Sequence, residues 1–170
     1  IQFKSIHKPM LSTKLILENI GQSVVDTLKN DIKTKSLVAG FPPPNASGAL
    51  YDSIRYEATE DSLKVYALDY IYYLVHGRKA GKKPPRAVIR KWIDDKGILP
   101  QADANGRTIS KDSLAFLIQR KIGDKGTLIA QQGGSDLLSS ILTESFIENV
   151  KDELIFNTVN AIKSEILAIA

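Results

Sequence analysis

Apolar side chains recur at Leu17, Ile20, Val24, Leu28 and Ile32, three and four residues apart, behind a Ser12-Thr13 pair able to cap a helix. The spacing predicts a long N-terminal helix with one apolar face, ending near Gly40. Phe41-Pro42-Pro43-Pro44-Asn45 cannot continue it, because each proline removes a backbone donor and restrains the residue before it. That segment reads as a short rigid linker. The period then changes. Residues 53–58 and 63–67 alternate apolar and polar positions around Glu60-Asp61-Ser62, the pattern of two half-buried strands joined in a hairpin. Residues 69–75 lack a clear period and read as a short helix.

Further on, Gly77 and Gly81 permit positive φ, and Pro84-Pro85 suits a helix start because proline has no N–H to leave orphaned there. The helix predicted at about 84–96 carries Trp92, with Lys96 and then Gly97 at its end. A polar loop with an Asn105-Gly106 turn signal follows at 99–108. Ser110 then caps a helix with Leu114, Leu117, Ile118 and Ile122 on one side, closed by Gly123. Gln131-Gln132-Gly133-Gly134 reads as a flexible joint. Beyond it a long amphipathic helix is expected from near Asp136, with Leu138, Leu142, Val150, Leu154, Ile162, Ile166 and Ile169 as candidate core positions. The expected fold class is α+β: a small antiparallel sheet, beginning with the 53–67 hairpin, packed against the N-terminal helix and later helices, with a long C-terminal helix. The expected organisation is a single domain over 1–170, with an arm at 1–10, a core at 12–130 and a helical region at 135–170.

Composition narrows the class without choosing a function. A 170-residue chain with 43% hydrophobic and 25% charged residues has globular proportions. Without cysteine there is no disulfide framework and no thiolate zinc site, which suits a reducing cytoplasm. The longest apolar run, 70–75, is far short of the ~18 residues that span a bilayer, so no membrane association is expected. Residues 1–9 lack the apolar stretch of a signal peptide.

Charge changes the picture more. The formal net charge of +4 hides an asymmetry. Arg78, Lys79, Lys82, Lys83, Arg86, Arg90 and Lys91 follow one another with no acid between them. From Asp136 onward six acids face only Lys151 and Lys163. Three readings fit the basic segment: a solvated loop and helix face, a phosphate contact that releases counterions, or a contact with an acidic protein surface such as another copy's C-terminal half. Tyr66, Tyr70, Tyr72 and Tyr73 read first as core, with an interface as the second reading, since tyrosine is enriched where a ring buries and its hydroxyl finds a partner. Trp92 reads as a core anchor.

Catalytic constellations are hard to find. His7 and His76 stand apart, Asp94-Asp95 point to different sides of a helix, and Gly81-Lys82-Lys83 lacks the upstream glycine and following Ser/Thr of a phosphate loop. No catalytic residue, metal site or cofactor is expected.

The order of these features resembles the tail-completion (head–tail joining, or neck) proteins of long-tailed bacteriophages. The resemblance is carried by the long first helix, by Ser47-Gly48-Ala49-Leu50-Tyr51-Asp52-Ser53-Ile54, and by the 66–78 segment from Tyr66-Ala67 to Gly77-Arg78. Pro84-Pro85 with the Trp92-Ile93…Lys96-Gly97-Ile98 helix, the 114–122 apolar stretch and Gly126-Thr127 complete it, over roughly residues 12–130. Two departures stand out: His76 replaces a glutamate common before the Gly-Arg pair, and the chain after Gly134 is long and helical. The resemblance implies a structural virion protein at the head–tail interface, assembled in the host cytoplasm. Its implied partners are itself, as a ring that in the family is sixfold, a head-closure or connector protein, and a tail-tube or tail-terminator protein. No sequence-specific nucleic acid is implied. The partner surface is expected at Arg78, Lys79, Lys82, Lys83, Arg86, Tyr72 and Tyr73. A basic DNA-binding protein is the alternative, and an enzyme of unrecognised type the third.

Overall fold

The computed structural model describes residues 12–102 and 106–169. The expected arm at 1–10, with His7, the Asn105 half of the Asn-Gly turn and the side chain of Ile169 lie outside the described residues. Helix α1 (Thr13–Thr34) and the short α2 (Ala49–Ser53) precede strands β1 (Arg55–Ala58) and β2 (Leu63–Tyr66). Helices α3 (Tyr70–His76), α4 (Arg86–Asp95), α5 (Lys111–Lys125), α6 (Leu128–Gln131) and α7 (Glu144–Ile169) follow. The fold is α+β, with one two-stranded antiparallel sheet among the described residues and a long C-terminal helix. The chain forms two compact units.

The first unit contains residues 12–27, the hairpin Arg55–Tyr66 and residues 141–169. Ser12 caps α1, its hydroxyl accepting from the Leu15 amide at 3.2 Å. Glu60, at the hairpin turn, accepts from the Lys14 amide at 3.4 Å, which places a carboxylate at the positive end of the helix. The strands pair Arg55 with Tyr66 and Tyr56 with Val65, and the Thr59 amide closes the turn on the Ser62 carbonyl at 2.8 Å. The hairpin lies against α1 where Gly21 leaves room. A Cβ at Gly21 would stand 2.5 Å from Tyr56 Cδ2 and 2.8 Å from Leu63 Cδ1. This close approach rotates the buried face of α1. Ile16 and Val25 are buried, whereas the expected Leu17, Ile20 and Val24 are only half-buried.

The second unit contains Leu28–Ile54 and Ala67–Ser140. Here α1 ends at Thr34, six residues before the expected Gly40, because the chain turns so that Leu37 is buried and the Asn45 amide returns to the Ile32 carbonyl at 3.2 Å. The proline segment is tied down from a distance: Lys96 Nζ donates to the Pro43 and Asn45 carbonyls, both at 2.6 Å. Packed helices α4 and α5 enclose Ile89, Ile93 and Ala115, with Trp92, Ile118 and Ile122 against them. Leu117 is exposed instead, since Ala115 takes the inward position. Helix α5 continues through Gly123 to Lys125 and stops at Gly126, because Gly123 accommodates the Lys83 stem rather than ending the helix.

Helix α7 starts at Glu144 rather than near Asp136. Residues 136–143 form turns that bury Leu137 and Ile141, so the expected core position Leu142 is exposed. Thr143 caps the helix, its hydroxyl accepting from the Phe146 amide at 3.2 Å. Asn157 marks the inner face of α7, buried, with its amide donating to the Glu153 carbonyl at 2.8 Å. Ile162 and Ile166, expected in the core, are on the outside.

Two outcomes test this packing. Replacing Gly21 with alanine removes a mid-helix glycine cost of about 1 kcal/mol. The added methyl forces the Tyr56 ring away, at a typical overpacking cost of 1–3 kcal/mol. Gly21→Ala should therefore lower the urea midpoint without changing the slope of the transition. The second concerns Asp94, whose carboxylate accepts from Arg90 one turn earlier and from Lys111 Nζ at 2.5 Å, joining α4 to α5. These cations hold it down to about 2. Because the folded value lies below the ordinary carboxylate value near 4, the stability it adds is complete above that pH and disappears as pH falls through about 2. Asp94→Asn should flatten the pH dependence of the unfolding midpoint in that window and leave the other acids' contribution unchanged.

Candidate functional site

Helix α3 is short and exposes what a core helix would hide. Leu74 is its buried residue, while Tyr70, Tyr72 and Tyr73 stand outside, with Tyr72 59% exposed. The reading of this cluster as core is therefore corrected. The physical reason is length. Seven residues make about two turns, and only the side carrying Leu74 meets the rest of its unit. Tyr72 and Tyr73 meet edge to face, with ring centres 5.8 Å apart, and the His76 ring lies 4.6 Å from that of Tyr72. Enclosure raises the Tyr70 hydroxyl above its usual value, although the ring is partly exposed.

Gly77 ends α3 at φ 69°, its amide returning to the Tyr73 carbonyl at 3.1 Å. A Cβ here would collide with the backbone of Ala130 in α6, so only glycine fits the contact and the dihedral together. The basic turn then runs out under tight control. Arg78 and Thr127 exchange two hydrogen bonds: the Arg78 amide reaches the Thr127 hydroxyl at 2.9 Å, and the Thr127 amide reaches the Arg78 carbonyl at 2.8 Å. The Gly81 amide bonds the Gly123 carbonyl at 2.8 Å. The Arg78 guanidinium donates to the Lys82 carbonyl at 3.0 Å and sits 5.8 Å from the centre of the Tyr73 ring. Thus the turn has exposed side chains on a backbone bonded to α5 and to the start of α6.

Together, Tyr72, Tyr73, Arg78, Lys79 and Lys82 line one open hollow of about 390 Å³, which sequence reasoning had grouped, and His76 and Gly77 complete it. A second hollow of about 400 Å³, lined by Ala67, Asp69 and Ile71, shares Tyr72 and Tyr73, so the two rings form a ridge between them. Lys83 is not part of the hollow, because its stem lies over Gly123. Arg86 opens α4 instead. Lys79, Lys82, Lys83 and Arg86 have no acidic partner among the described residues, and α4 has no acid in its first turn. Cations there oppose the helix dipole, an arrangement that an anionic group docking at this end would relieve. By contrast, Arg90 pairs with Asp94 and Asp112, and Lys91 with Asp95, so the last two cations of the run are neutralised at home.

An open hollow walled by cations and aromatic rings fits a protruding side chain of another macromolecule better than an enclosed small molecule. Among the described residues no group of three acidic or imidazole side chains could hold a metal ion. Gly77→Ala should cost at least ~2 kcal/mol, since it strains the backbone and drives a methyl into Ala130. Its check is a lower thermal midpoint accompanied by loss of the near-ultraviolet tyrosine circular dichroism.

No family model matches the chain, and no curated protein or solved structure matches it either.

Proposed function

We propose that this chain is a tail-completion protein of a long-tailed bacteriophage, acting as a ring of identical copies that joins the tail end to the head-closure complex. Three things support the reading. The order of sequence features from the first helix to Gly126-Thr127 resembles that family. An α+β chain with one small hairpin among helices suits it. Above all, the exposed Tyr72–Tyr73 ridge beside Arg78, Lys79 and Lys82 has the make-up of a protein-docking surface, where aromatic and arginine side chains are enriched. Among the described residues no helix is long and apolar enough to cross a membrane. The virion at the head–tail interface is the proposed location, with the head-closure or connector protein and the tail-tube or terminator protein as neighbours.

Binding of duplex DNA is the second reading, favoured by the four cations without acidic partners. It is the weaker one, because Arg90 and Lys91 are already matched by acids and the aromatic ridge lies beside a turn rather than along a groove.

One experiment separates them. The variant carrying Lys79→Glu and Lys82→Glu changes two exposed side chains and should fold normally. In an assembly reaction it should leave free heads and free tails unjoined, since like charges set against an acidic partner cost several kcal/mol. Wild-type protein titrated with duplex DNA at two salt concentrations should bind no better than about 10⁻⁴ M at physiological salt. Normal joining by the variant, with tight and steeply salt-dependent DNA binding by the wild type, would reverse the order of the two readings.

A further inference from the structure

Helix α7 is apolar on more than the side that its own unit covers; Phe156 and Leu167 are exposed, and so is a regular stripe beside them. Asn157 is 6% exposed, with Leu154 and Ala161 half-buried beside it. About half a turn away, Ile155, Val159, Ile162 and Ile166 are 61%, 42%, 52% and 61% exposed. A solitary exposed isoleucine needs no explanation, but a continuous stripe of this kind marks a contact surface. The stripe steps by four, three and four residues, the spacing of a seam that follows another molecule along the helix.

Followed toward the start of α7, the same stepping reaches Asp152, Glu148 and Glu144, all exposed; Lys151 pairs with Glu148 at 2.7 Å, so three acids are set against one cation at this end. The outward stripe is therefore acidic at one end and apolar at the other, over roughly 27 Å of helix from Glu148 to Ile166. This charge pattern decides what can cover it. A second α7 running parallel would set Asp152 against Asp152 and Glu148 against Glu148 within the seam. Running antiparallel, it would press those carboxylates on to isoleucines. An anionic lipid surface would repel them too. What the stripe calls for is a surface with cations at one end and apolar or aromatic side chains at the other. The same chain carries one: Lys79 and Lys82 beside the Tyr72–Tyr73 ridge.

We propose that the outward stripe of α7 in one copy docks on the aromatic and basic face around Tyr72, Tyr73, Lys79 and Lys82 of a second copy. Such a contact is head-to-tail, using different patches on the two partners, so it leaves each copy with one stripe and one face unused. Repetition gives a ring where the rotation closes and a filament where it does not. Closure into a ring rests on the proposed joining function; the pairwise contact does not.

The test uses two complementary variants of the full chain, Glu148→Lys with Asp152→Lys, and Lys79→Glu with Lys82→Glu. All four side chains are exposed, and far-ultraviolet circular dichroism checks that each variant keeps its helices. Sedimentation velocity over a rising concentration series should show self-association of the wild type. It should show at least tenfold weaker association for each variant alone, and recovery in an equimolar mixture of the two. Ile162→Ser should weaken the wild type and the mixture alike. Three results would overturn the proposal: a wild type that stays monomeric throughout the series, an acid-reversed variant that associates as well as the wild type, or a mixture no stronger than its components. The second of these would point to α7 pairing with itself. Counting joined particles keeps the questions apart. Association that follows the charges while reversed variants still join heads to tails sinks the joining function and leaves the contact standing.

Discussion

The arrangement around Tyr72 and Arg78 depends on one close approach of two backbones. At Gly77 a methyl group would meet Ala130, and at Gly126 it would stand 2.6 Å from the Arg78 carbonyl oxygen. Two segments 49 residues apart are thus pressed together with space for hydrogen atoms only, and the reciprocal Arg78–Thr127 hydrogen bonds hold them in register. The direction of α3, and hence which tyrosines face outward, is set by this clasp. So is the path of the turn that carries Lys79 and Lys82. Satisfying the backbone groups inside the clasp is what allows a segment so rich in charge to leave the body of its unit in a defined shape.

Much of this was legible where local chemistry decides. Ser12 and Ser110 cap their helices, Glu60-Asp61-Ser62 turns the hairpin, and Gly77 and Gly81 take the positive φ they permit. Features decided by contacts between distant residues were not legible. No spacing along α1 reveals that Tyr56 and Leu63 arrive at Gly21 and turn its buried face toward Ile16 and Val25. Gly123 has the look of a stop signal until Lys83 is seen lying across it. The late start of α7 follows from the same cause, since Leu137 and Ile141 are buried in turns that interrupt the apparent period. Tyr72, Tyr73, Arg78, Lys79 and Lys82, which line one hollow, could be grouped in the sequence because they are neighbours in the chain, whereas Lys83 and Arg86 lie outside it. The outward stripe of α7 was missed because periodicity counts apolar positions without saying which side the rest of the fold will cover.

Charge is distributed with a division of labour. Arg90, Lys91 and Lys111 are engaged by Asp94, Asp95 and Asp112, and their work is to fasten α4 to α5 and to steady α4 itself. These pairs are partly exposed, so each adds little on its own, and their value lies in fixing the relation of two helices that also share an apolar core. Cations nearer the turn do none of this. Arg86 sits in the first turn of α4, the wrong end of a helix for its sign, and Lys79 and Lys82 have no acidic partner among the described residues.

Lys96 illustrates how a remote residue governs a loop. The three prolines at 42–44 offer carbonyl oxygens and no amide hydrogens, so this tract can only accept. Its shape therefore depends on a donor from elsewhere, and one ammonium group supplies it to both Pro43 and Asn45. Desolvation in that position lowers the basicity of the amine. The direction of the linker's carbonyls is therefore fixed jointly by its prolines and by this one donor. A neutral residue at position 96 would release a segment more than fifty positions away, with no change in the linker's own sequence.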